Sequence, residues 1–188
     1  ELVELEPFQK GWLAATWPDQ AGFFGDGKCA MAFMGNWMYG AQASNSASGE
    51  GLGDSNMGMF NMPMTNGGLG DSGDTLGGIN GWLFSSSASD AAVELMMHYI
   101  SLDIQKEDAS NGAYIPIVKG ADGSLTNPFL QQVAKNISSS EYHQIFYDQF
   151  LGADIGRVVN DVSTDLAAGI ISAEEATQAV QEAWEFNQ

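Results

Sequence analysis

Two tryptophans, each beside an amide and close to glycine, are the side chains best suited to hold a ligand. Trp37 follows Gly35 and Asn36, and Trp82 follows Gly77, Gly78 and Asn80. An indole offers a flat apolar face, an Asn amide both donates and accepts hydrogen bonds, and glycine lets a backbone approach a bound molecule closely. A neutral sugar asks for this combination: apolar faces for the CH side of the ring, amides or carboxylates for its hydroxyls. Asn36 has a competing role in shaping its turn. On an extended strand Asn80 and Trp82 point to one face, which is either a cleft or the solvent side. Asp154 and Arg157 stand where a helix begins after a break at Gly152. A surface salt bridge is the competing role for Arg157.

Other chemistries find little support. Asp54, Asp71 and Asp74 lie in glycine-rich loops, but their spacing matches no EF-hand and no bidentate Glu follows. His98 and His143 are far apart, each on an expected helix, with no Cys or His at metal-binding spacing. The run Gly49–Asp54 lacks the strand–turn–helix setting of a dinucleotide loop, and no nucleophile elbow or phosphate loop occurs. Carboxylates are too abundant for any pair to signal a glycosidase. The methionines of 57–62 read as core rather than as a copper site. Cys29, the single cysteine, reads as a small buried hydrophobe and rules out an internal disulfide.

The elements that must carry these residues follow from periodicity and punctuation. Phe8, Trp12, Leu13 and Trp17 suggest a short amphipathic helix ending near Pro18. A Gly25–Lys28 turn launches an apolar run from Cys29 to Met34, of strand length and ended by Gly35. Trp37, just past a buried strand, is then well placed to face a cleft. Residues 44–56 read as a loop, 57–63 as a strand stopped by proline, 65–78 as a glycine-rich loop, and 79–84 as a second strand. Ser87 is expected to cap a helix with Asp90 in its first turn, its stripe formed by Ala92, Val93, Met96, Tyr99 and Ile100 and its end near Leu102. A charged turn then precedes residues 110–116. Asn127-Pro128 is a helix start, with Phe129, Leu130, Val133, Ala134 and Ile137 as its stripe. Ser139 or Ser140 is expected to cap a helix bearing Tyr142, Ile145, Phe146 and Phe150. The next helix runs to a glycine cap at Gly169, and Ser172–Glu175 forms the capping box of the last.

The segment Phe24 to Trp37, read as F-x-x-G-K-x-A-M-x-x-x-G-x-W, resembles one found in the sugar-binding (family 1) extracellular solute-binding proteins of bacterial ABC importers. Later landmarks fall in that family's order: a strand ending at Pro63, the pair Gly77-Gly78, a strand leading to Ser85-Ser86-Ser87, and the closing Tyr147-Asp148-Gln149 and A-A-G-I-I-S-A-E-E-A stretches. The resemblance implies a periplasmic-binding-protein-like type II α/β fold. Residues 1–80 and 127–188 would form the C-terminal lobe, and 81–126 would pack on an N-terminal lobe. Relatives are about twice this length, so the resemblance also implies a preceding lobe that is not seen. It further implies a carbohydrate ligand stacked on Trp37, with Asn36, Gly78, Asn80, Trp82, Asp154 and Arg157 nearby. Permease subunits of a transporter would be the protein partners, and the location would be extracytoplasmic, with a lipid anchor as one form of it. No cofactor and no catalysis are implied. The rivals are a same-fold protein for a non-sugar solute (a polyamine or a metal chelate) and, behind it, a carbohydrate-active enzyme.

Size and charge fit this frame. At 188 residues the chain can bury a sizeable core, and 44% hydrophobic content marks it as globular. No apolar run approaches the ~20 residues that span a bilayer. The net charge of −18 repels nucleic acid and anionic lipid, and no basic stripe offsets it. Residues 81–126, without their partner lobe, are expected to show an exposed apolar face.

Overall fold

Helix caps settle most of the architecture. The computed structural model describes residues 3–78 and 80–187. Helix α1 (Trp17–Gly25) starts where Thr16 and Asp19 exchange the two hydrogen bonds of a capping box, with Pro18 in the first turn. The proline therefore opens this helix, where a helix ending near it was expected; residues before it make only single 3-10 turns at Val3–Leu5 and Trp12–Ala14. Helix α2 (Met38–Asn45) packs closely against α1. Gly22 and Gly25 make this approach possible, since a Cβ on Gly25 would lie 2.0 Å from the Gln42 carbonyl oxygen. The buried Gln42 side chain then ties down the following loop, accepting from Leu52 N at 2.7 Å and donating to Tyr39 O at 3.2 Å.

The only sheet among the described residues is a parallel pair, β1 (Thr75–Gly77) and β2 (His143–Ile145), with Thr75 opposite His143 and Gly77 opposite Ile145. With 51% helix, the protein is mostly helical α/β. Helices α3 (Asp90–Tyr99), α4 (Leu102–Ser110) and α5 (Pro128–Ser139) follow β1. A short helix α6 (Tyr147–Phe150) leads from β2 into α7 (Ala153–Ala167) and α8 (Ala173–Phe186), packed one on the next. The Asn127 cap of α5 accepts from Leu130 N at 3.1 Å, as its position before Pro128 predicts. Gly169, at φ 71°, ends α7 with Ile170 N bonded to Asp165 O and its own N–H to Leu166 O, a Schellman closure. Ser172 and Glu175 form the expected capping box of α8.

The core centres on Ala109, Leu125 and Leu130, with Ile115, Phe129 and Ala134 packed around them. Buried Gln105 locks α4 to the loop beyond it by donating to the Tyr114 hydroxyl and accepting from Ile117 N. Desolvation first, and then the hydrogen bond to Asp108, push the Tyr114 phenol well above its usual range. This segment was expected to be a charged turn; its few apolar side chains conceal a helix.

Several other expectations are corrected. Residues 29–34, 57–63 and 80–84 are not strands; the sequence supplies strand-like side chains, but no neighbour pairs with their backbones, and ladder bonds require one. Ile79 lies outside the described residues. Helix α3 begins one residue after Ser89, not Ser87, and Ser89 makes no side-chain cap bond. The helix expected from Ser139 or Ser140 is replaced by β2 and the short α6, so His143 is on a strand: its Nδ1 meets Thr75 Oγ1 across the pair at 2.8 Å. Cys29 is half-buried and donates to Gln9 Oε1. The apolar exposure expected over 81–126 is present, with Trp82 69% and Leu83 99% exposed, but Phe33 at 80% lies outside that segment. Among the described residues no helix is long and apolar enough to cross a membrane.

Candidate functional site

Strand β1 ends at Gly77, and β2, running parallel, ends at Ile145; both carboxyl ends therefore open on the same side. Phe146, which helical spacing puts on a helix stripe, meets two of the sequence candidates there, Gly78 and Trp37. Phe146, the residue after β2, is bound to β1 through its N–H to Gly77 O at 3.3 Å. Its ring lies close beside Gly78, where an added Cβ would be 3.1 Å away and would press the ring back slightly. The indole of Trp37 then contacts Phe146 edge to face, with centroids 6.3 Å apart and planes at 86°.

Trp37 is held from its own side as well. It is the first residue before α2, and Gly35 O accepts from Met38 N while Trp37 O accepts from Ala41 N. Its ring folds back over Gly35, where a Cβ would fall 2.4 Å from the indole. The Gly-x-Trp spacing thus has a local cause: only a glycine two residues earlier leaves room for the ring. The indole remains 47% exposed. The backbone carbonyl of Asn36 accepts from Tyr39 N in the turn that leads into α2, a bond any residue would make there.

A pocket of about 380 Å³, with none of these residues in its lining, opens at the start of α7. Gly152 at φ 86° turns the chain there, and Asp154 lines the pocket with Trp184 and Asn187 of the C-terminal end of α8. Carboxylate, indole and amide are thus gathered in one place. Trp184 is 41% exposed there.

The remaining sequence candidates are not brought in. Arg157 pairs with Asp161 one turn along α7 at 3.3 Å, both well exposed, which is the surface salt bridge. Asn80 and Trp82 lie on an unpaired segment, so strand alternation does not apply, and neither lines a pocket described above. Asp71 and Asp74 use their carboxylates to accept from Gly73 N and Asp71 N within their own turn. Among the described residues no three His, Cys, Asp or Glu side chains gather at metal-binding distance.

Thr75, Ser140 and His143 form a short hydroxyl–imidazole chain, but it ends on a backbone acceptor. Ser140 Oγ donates to Tyr142 O at 2.6 Å and Thr75 Oγ1 donates to Ser140, so the His143 Nδ1–H is left to donate to Thr75. An imidazole that donates to a hydroxyl does not withdraw its proton. The arrangement fixes the two strands rather than activating a nucleophile.

What the chain offers, then, is aromatic surface beside backbone at the carboxyl ends of the parallel strands and, apart from it, a carboxylate, an indole and an amide around the pocket at the start of α7. Compared with known proteins, the chain matches no family model and, at a significant level, no curated protein.

Proposed function

We propose that this chain belongs to an extracytoplasmic solute-binding protein that captures a sugar or oligosaccharide and hands it to an ABC importer. The observation that carries the reading is the meeting of Trp37, Phe146 and Gly78 at the carboxyl ends of β1 and β2. Ligands of open α/β sheets bind outside the carboxyl ends of the strands. A half-exposed indole held edge-on by a second ring is a rigid platform, so little side-chain entropy is lost when a sugar ring lies against it. Apart from that platform, the pocket at the start of α7 gathers Asp154, Asn187 and Trp184, an acceptor, an amide and an indole of the kind sugar hydroxyls and rings use, and it shares no lining residue with Trp37, Phe146 or Gly78.

In this reading the fold is of the periplasmic-binding-protein-like type II. Residues 1–80 and 127–188 form its C-terminal lobe, and 81–126 pack on an N-terminal lobe. Closure of the two lobes around the sugar excludes water from the platform. The permease subunits recognise the closed form, and no bond is made or broken. The platform rather than the charge selects the ligand: a neutral sugar is indifferent to the −18 of the chain.

Isothermal titration of the full-length protein against a panel of neutral mono- and oligosaccharides, polyamines and metal chelates tests the class. A sugar bound saturably, and weakened by Phe146→Ala, is the expected result. Binding of a polyamine or chelate with no sugar bound keeps the fold and removes the sugar. Release of a shorter sugar product would make the protein an enzyme and end the proposal.

A further inference from the structure

A groove unrelated to the tryptophan platform lies between the 54–59 loop and α5. It has a volume of about 440 Å³, within the range of small-molecule sites, and its walls are Tyr39, Asp54, Met57, Met59, Phe129 and Gln132. We propose that it binds a small organic cation: an ammonium ion carrying an apolar ring.

The wall is built rather than incidental. Tyr39 and Phe129 stack with centroids 5.2 Å apart and planes at 21°. The Tyr39 hydroxyl donates to Asp54 Oδ1 at 2.7 Å and accepts from Asn127 Nδ2 at 2.5 Å. Asn127 is itself fixed as the cap of α5, and Phe129 packs against the core. The rings are therefore positioned by a helix start and by the core before any ligand arrives.

The chemistry of that wall discriminates between ligand classes. Asp54 is the single carboxylate lining the groove, and the ion pairs among the described residues are Lys28–Asp26 and Arg157–Asp161, so no cation among those residues neutralises it there. Aromatic faces add negative potential to that of the carboxylate. Two thioethers, Met57 and Met59, offer a soft, adaptable surface to a ring. An anion is repelled by Asp54. A neutral apolar molecule gains the wall but leaves the carboxylate unused, and a neutral sugar, though it could reach Asp54, Ser55 and Gln132, leaves the carboxylate's charge uncompensated. Only a cation with an apolar body uses every part. The chain's net charge of −18 raises the local concentration of cations further. This site shares no residue with the platform, so its failure leaves the sugar reading untouched, and the reverse holds.

The test is an NMR titration of the full chain, with methionine methyls labelled, against phenethylammonium at about 150 mM salt, where the Debye length is about 8 Å. Phenethyl alcohol and 3-phenylpropionate are the neutral and anionic controls. The expected result is saturable shifts at the Met57 and Met59 methyls, and binding at least tenfold weaker for the alcohol and absent for the anion. Asp54→Asn should weaken phenethylammonium about tenfold. Met59→Lys, at a half-exposed position, should abolish binding by placing an ammonium of its own in the groove. Shifts spread over many methyls without saturation would mean general counterion attraction and would overturn the proposal. So would equal binding of the alcohol, or unchanged affinity in Met59→Lys.

Discussion

Substituting Gly25 by Ala tests the close approach of α1 to α2. An alanine Cβ there would stand 2.0 Å from the Gln42 carbonyl oxygen, 2.9 Å from its carbon and 3.1 Å from Ser46 Cβ. Ordinary contact begins near 3.4 Å, so the helices must part by about 1.4 Å (3.4 minus 2.0), and the atom in the way is backbone. Forcing a methyl into a filled contact costs about 1–3 kcal/mol. The alanine returns at most ~1 kcal/mol of helix propensity, and less at the last residue of a helix. The net loss is about 1–2 kcal/mol, or a fall in Tm of about 2–8 °C for a chain of this size. Gly40→Ala is the internal control: it lies in α2 with nothing within 4 Å of its Cβ, so propensity alone acts and stability rises by about 0.5–1 kcal/mol. Urea melts followed by circular dichroism read both. If Gly25→Ala matched or exceeded the wild type, α1 and α2 would not approach as described, and the placement of Trp37 at the head of α2 would be in doubt.

Asn127→Ala removes both the α5 cap and a partner of the Tyr39 hydroxyl, and should cost about 1–2 kcal/mol in the same assay; Asn127→Asp, which keeps the cap acceptor, should retain most of that. Gly35→Ala should move the Trp37 indole off its seat while changing stability little, because the clashing atoms belong to a side chain that can swing; the Trp37 indole N–H resonance would shift and its contact with Phe146 would vanish. Asp26 is held below its ordinary 3.8 by the Ala47 N–H and by Lys28, and Glu175 below 4.5 by the Ser172 backbone and hydroxyl. A lowered folded pKa means stability present above the unfolded value and lost as pH falls through the folded one. Acid melts should therefore lose these contributions below about pH 4, and Asp26→Asn should flatten that limb.

Much of the helical architecture can be read locally. Asn127-Pro128, Gly169 and Ser172–Glu175 each state a helix end in two to four adjacent residues, and each stands where expected. Thr16-Trp17-Pro18-Asp19 was as explicit, but the aromatic spacing before it drew the helix to the wrong side of the proline. Strands were not legible in this way. The pairing of Thr75 with His143 joins residues 68 apart, and nothing local marks either. Cys29–Met34 and Met57–Pro63 carry strand-like side chains without a partner, since pairing is a property of two segments rather than one. The site divides along the same line. Trp37 and Gly78 were visible as residue types, but their meeting depends on Phe146, which helical spacing had placed on a helix stripe. Trp184 beside Asp154 required the packing of α7 on α8. Asn80 and Trp82 rested on strand alternation and lost their argument with the strand.

The central claim is that the Trp37–Phe146 edge, and not aromatic surface in general, holds a sugar. Thermal shifts of wild type, Trp37→Ala and Trp82→Ala against mono- and oligosaccharides test it most directly, since a ligand selective for the folded state must raise Tm. The account predicts a sugar that stabilises the wild type and Trp82→Ala alike but not Trp37→Ala. A sugar that stabilises Trp37→Ala as fully as the wild type would contradict it.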